Sequence, residues 1–116
     1  MDLVNISLFL LVHPNVYIMN IQVQAPFQVN EPLQSLIEEK LSKLHKFFDR
    51  ITTAEVYLRL DGHQSLLARD KTVEIQLHVP RQVLYAQENS DSFEKSLSVA
   101  TEKMRRQILR YKQTLA

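Results

Sequence analysis

Cysteine is absent from the 116 residues, which removes disulfides, thiolate metal sites and thiol nucleophiles together and suits a reducing compartment. Glycine occurs once, at Gly62. Phosphate-cradling loops of the P-loop or dinucleotide type need several glycines for close backbone approach, so both are excluded. The apolar run from Ile6 to Val12 is far too short to span a bilayer. Lys and Arg are missing from residues 1–18, so that run has no basic segment before it, and no small-x-small cleavage pattern follows. Residues 1–18 therefore read as an N-terminal extension outside the native core, and residues 19–116 as one domain with a single modest core.

Period-two alternation marks four strands. Ile21 and Val23 alternate with polar neighbours after Met19. Ala54, Val56, Leu58 and Leu60 alternate with Glu55, Tyr57 and Arg59. Val73, Ile75, Leu77 and Val79 alternate with Glu74, Gln76 and His78. The fourth strand is QVLYAQE, reached through a Pro80-Arg81 turn.

Two stretches follow helical spacing instead. Asn30 is a good N-cap, Pro32 sits in the first turn where a missing N–H costs nothing, and Leu33, Leu36, Ile37, Leu41, Leu44, Phe47 and Phe48 trace one face. The last helix runs from about Ser92 to Leu115, capped by Asp91 or Ser90. The order β-α-β-β-β-α predicts an α+β fold, a two-layer sandwich with a four-stranded sheet and two helices on one face.

Charge is balanced overall, at +1, yet unevenly distributed. The segment EKMRRQILRYK holds five cations and one acid, whereas residues 51–90 carry four cations and five acids. On a wheel of about 100° per residue, Phe93, Leu97, Ala100, Met104, Ile108 and Tyr111 form the apolar face of the last helix. Lys95, Lys103, Arg106 and Arg110 cluster away from it, with Arg105 and Lys112 on the opposite flank. In the first helix Lys43, Lys46 and Arg50 repeat the i, i+3, i+7 spacing of Lys103, Arg106 and Arg110, and Lys40 sits beside them. Acids near helix N-termini and bases near C-termini also satisfy the helix dipole, by a few tenths of a kcal/mol each. That accounts less well for matched rows on two helices. Parallel helices lying side by side would merge the rows into one cationic surface suited to a nucleic-acid backbone.

Other chemistry is thin. His13, His45, His63 and His78 lack ligand spacing and read as helix-surface or strand-face residues, so no metal or cofactor is expected. Glu38 and Glu39 read as a solvated face. No nucleophile stands beside a base, and no catalytic residue is assigned. Tyr57 and Tyr85 are exposed-strand tyrosines before they are base-stacking platforms.

From Met19 to Ala116 the chain resembles the ribosome hibernation-promoting factors, the group that includes ribosome-associated inhibitor A and the older sigma-54 modulation protein label. The resemblance rests on MNIQVQ, the helix pattern LxxxIxxKLxKLxKFFDRI, the run KTVEIQLHVP, and the ending KMRRQILRYK. Departures are Pro80-Arg81 where the family often has glycine, and DSFEKSLS at the start of the last helix.

Membership implies a non-catalytic, cytoplasmic translation inhibitor of stress and stationary phase. Its partner would be the small ribosomal subunit, both rRNA and ribosomal proteins, over the mRNA and tRNA (A/P) sites. Carried over, the RNA-facing residues are Lys40, Lys43, Lys46, Lys103, Arg106, Arg110 and Lys112, to which the wheel adds Arg50. The chain looks like a short form, monomeric off the ribosome, with no membrane or small-molecule partner. Two other readings stay open: a double-stranded-RNA module, whose α-β-β-β-α core is shared, and a protein–protein adaptor using Tyr57, Arg59, Gln76 and His78.

Overall fold

Asn30 starts the first helix as its sequence demands: its side-chain oxygen accepts from the Leu33 amide at 2.9 Å, with Pro32 in the first turn. The computed structural model describes residues 2–8, 19–60 and 71–115. Along the chain the elements are β1 (Asp2–Leu8), β2 (Met19–Ala25), α1 (Glu31–Phe47), β3 (Thr53–Leu60), β4 (Lys71–Val79), β5 (Gln82–Ser90) and α2 (Phe93–Thr114). The polar connection built on Asp61-Gly62 lies outside the described residues.

The strands stand in the order β1-β2-β3-β4-β5. β2 and β3 are parallel, joined by α1, and the remaining neighbours are antiparallel. The four strands and two helices expected from periodicity all form. The fifth strand, β1, arises within the segment read as an extension. Its register sets Val4 opposite Val23, Ile6 opposite Ile21 and Leu8 opposite Met19. Two-residue periodicity was present in DLVNISL, but Leu3 interrupts it and the longer apolar run masks it.

One face of β2 to β5 packs beneath the helices. Ile21, Val23, Val56, Leu58, Ile75 and Leu77 are fully or almost fully buried, meeting Ile37 and Leu41 of α1 and Leu97, Met104 and Ile108 of α2. Burying each such side chain contributes roughly 1.5–3 kcal/mol. Because β2 and β5 run the same way, α1 and α2 run parallel across the sheet. Ring contacts join them at both ends: Phe27 meets Phe93 at 5.3 Å near the N-termini, and Phe48 meets Tyr111 edge-on at 5.5 Å near the C-termini.

Two local expectations change. Ser92, rather than Asp91 or Ser90, caps α2, its hydroxyl accepting from the Lys95 amide at 3.1 Å. Ser90 is the last residue of β5, and Asp91 pairs with Lys95 instead. His45 is buried among core residues, because it follows Leu41 by one turn on the same face. At the β4–β5 turn Arg81 takes φ 74°, the third position of a tight turn with proline at the second. That left-handed conformation costs a non-glycine residue about 1–2 kcal/mol.

Candidate nucleic-acid interface

Lys40, Lys43 and Lys46 stand on α1, Lys40 half-buried and the other two exposed. Arg50 is exposed but lies beyond the helix, so the i, i+7 reading of it as a helical position does not hold. α1 stops because Phe48 turns to extended backbone (φ −148°, ψ 102°) and lays its ring against Tyr111. Lys43 reaches Glu39 at 3.8 Å, an exposed pair worth less than about 1 kcal/mol and easily exchanged for a phosphate. Among the described residues, Lys46, Arg50, Arg106 and Arg110 carry no ion pair.

On α2 the cations divide. Arg106 and Arg110 are exposed. Lys103, placed by the sequence in the same row, leans over β5 instead. Its Nζ donates to the Gln87 carbonyl at 3.1 Å and lies 3.4 Å from Glu88. One turn on, Gln107 pairs with the backbone of Tyr85 through both ends of its amide. This flank of α2 therefore closes the outer edge of β5, and Lys103 serves the sheet before it serves any ligand. Arg110 borders a shallow depression of about 220 Å³ with Gln82, Leu84, Gln107, Tyr111 and Thr114.

The opposite flank forms the seam between the helices. The Arg105 guanidinium sits 5.2 Å from the centroid of the Phe47 ring, and the Lys112 ammonium 4.7 Å from it. Lys112 also reaches the Phe47 carbonyl at 3.4 Å, neutralising the C-terminal end of α1. Two cations on one ring are each held by about 0.5–1 kcal/mol at such a wet site. Arg105, left out of the sequence-derived set, belongs beside Lys112: they are seven residues apart and share one stripe. Lys40 precedes Phe47 by the same spacing on α1. The signal was present in those two spacings, but the partner ring sits nearly sixty residues away in sequence.

The other face of the sheet is polar and engaged with itself. Glu55 accepts from the Tyr57 hydroxyl at 2.6 Å and is bonded to His78, while Glu74 accepts from Arg59 at 2.7 Å and Gln76 at 2.8 Å. The Tyr57 and His78 bonds hold the Glu55 carboxyl below its ordinary range, and the same carboxylate pushes the Tyr57 hydroxyl up to about 12. Tyr57, Arg59, Gln76 and His78, the residues an adaptor would present, thus have partners on their own sheet. No helix among the described residues is long and apolar enough to cross a membrane.

Residues 20–116 match the family described as sigma 54 modulation protein / S30EA ribosomal protein. Among curated relatives, a ribosome hibernation promotion factor from Deinococcus radiodurans is 33% identical over 85 residues, which is 73% of this chain and 44% of that one. A ribosome hibernation promoting factor from Azotobacter vinelandii is 26% identical over 85 residues, 73% of this chain and 74% of that one. The match thus spans less than half the length of the first relative. In fold the chain is similar to a ribosomal subunit interface protein from Coxiella burnetii (TM-score 0.67, 24% identity, 80% of this chain and 97% of that one). It is also similar to the N-terminal domain of Thermus thermophilus Protein Y (TM-score 0.63, 21% identity, 84% and 98%).

Proposed function

The chain belongs to the sigma 54 modulation protein / S30EA ribosomal protein family, and from that premise we propose that it is a ribosome-associated hibernation factor acting without catalysis in the cytoplasm. In this reading it binds the small ribosomal subunit over the mRNA and tRNA sites, and rRNA phosphates meet the cations of the helix layer. The observation that carries the reading is the parallel pair α1 and α2, with Lys43, Lys46, Arg106, Arg110 and Lys112 all exposed on one layer. A polar face of paired charges lies on the other side.

Electrostatics gives this arrangement its mechanism. Exposed cations without strong internal partners lose little on meeting phosphate, and each contact releases counterions from the RNA. Bound across a channel that mRNA and tRNA must enter, a rigid sandwich inhibits by occupancy alone. Lys40, Lys43, Lys46 and Arg50 supply one side of the contact, and Arg106, Arg110 and Lys112 the other. Lys103 contributes less, since its ammonium is already committed to β5.

Co-sedimentation with small subunits tests the proposal. The double reversal Lys43→Glu/Arg106→Glu abolishes pelleting while the circular dichroism spectrum and thermal midpoint stay close to the parent's. Retained pelleting by this variant refutes the helix-layer interface. Competition by plain RNA duplex would instead favour a generic duplex binder.

A further inference from the structure

A sheet with two edges offers two rows of backbone groups for pairing, and proteins usually blunt both. Here β5, one edge of the sheet, and β2, which would be the other edge without β1, are treated differently. β5 is closed from within by Lys103 and Gln107 of α2. β2, by contrast, has the sequence MNIQVQA, with no charge, proline or glycine to resist a neighbouring strand. What covers it is another strand, β1, paired without a bulge along all seven residues.

The direction of the β2 groups follows from one bond. The Asn20 amide donates to the Thr52 carbonyl at 3.0 Å, toward β3. Backbone groups alternate sides along a strand, so Ile21 and Val23 direct theirs outward, where Ile6 and Val4 are their register partners.

We infer that the outer edge of β2 is a strand-acceptor site guarded by Asp2–Leu8, and that withdrawal of this guard lets β2 pair antiparallel with β2 of a second copy. The phase of the strand favours that occupant. With Gln22 on the twofold axis, Ile21 meets Val23 of the other copy and Asn20 meets Gln24. The outward-facing backbone groups then lie opposite one another. Met19, Ile21, Val23 and Ala25 stay on the helix-covered side in both copies, so the register keeps the two apolar faces aligned. No charged pair is opposed, because the strand has none. Such a contact is isologous and closes at two copies, leaving both helix layers free.

The test uses the full chain. Val4→Pro/Ile6→Pro removes the two donors that β1 gives to Val23 and Ile21, whereas Asn5→Pro/Ser7→Pro places proline where the amides point away from β2. Sedimentation velocity is expected to show a monomer for the parent and the second variant, and a concentration-dependent doubling of mass for the first. Ile6→Pro alone, a milder change, gives a weaker dimer. Slow amide exchange in β4, which is paired on both sides by β3 and β5, verifies that each variant is folded. Adding Gln22→Lys returns the first variant to monomer, since the new charge meets its own copy across the axis but lies beside Glu55 within its own sheet. A folded first variant that stays monomeric at every concentration overturns the inference. A dimer indifferent to Gln22→Lys does so too, as does a parent that is itself dimeric.

Discussion

Glu55 shows how far one side chain can organise an exposed sheet face. It is flanked by Tyr57 two residues along its own strand and by His78 across the ladder, and both bonds favour the ionised carboxylate. A carboxyl whose folded value is depressed adds stability above its unfolded value, near 4.5, and loses it as pH falls through the lower folded value. Tyr57 works in the opposite sense. Its neutral form is favoured, so its contribution is complete below about 10 and disappears as pH rises through about 12. Removing the Tyr57 hydroxyl (Tyr57→Phe) takes away the largest cause of the Glu55 shift. The Glu55 carboxyl, followed by NMR titration, is expected to move up toward its ordinary value, and acid unfolding to begin at higher pH. An unchanged Glu55 titration would show that His78 alone sets it. The sequence displayed Glu55, Tyr57 and His78 as alternating polar positions. It did not display their convergence, because Glu55 and His78 meet through strand register and not through spacing.

At the level of elements, α2 is two helices in one. Its apolar face docks on β4 and β5, one flank closes the β5 edge, and the other flank braces α1 through Phe47. Equal charges on this helix therefore carry unequal duties. Lys103→Ala is expected to lower stability by about 0.5–1 kcal/mol in urea unfolding while changing subunit binding little. Arg106→Ala should leave stability within about 0.5 kcal/mol and weaken binding several-fold. Equal effects of the two on both measurements would mean that the row acts as the wheel alone described it. Both helices were legible because their apolar periodicity is long and regular. Their ends were less so: Ser92, Asp91 and Ser90 can each cap a helix, and only the close of β5 at Ser90 decided among them. Likewise nothing local forbade α1 from continuing through Arg50. Phe48 left the helix for a ring on α2.

For the whole molecule, the governing property is polarity between two faces with a net charge near zero. Six of the eight expected RNA-facing residues are exposed: Lys43, Lys46, Arg50, Arg106, Arg110 and Lys112. If six cations meet phosphates, the logarithm of the binding constant should fall with the logarithm of salt at a slope of about −4 to −5. Fluorescence anisotropy with labelled protein and small subunits at stepped salt would measure it. A slope near zero would exclude backbone recognition and redirect attention to the polar sheet face. Sequence by itself determined the β-α-β-β-β-α order, the buried faces and the existence of a cationic helix layer, because periodicity and composition are local records of which side of an element meets water. Tertiary structure decided which cations remain available, where Phe47 seats Arg105 and Lys112, and that Asp2–Leu8 joins the sheet. Those outcomes depend on residues far apart in the chain being brought within a few ångströms, and no local pattern encodes such a meeting.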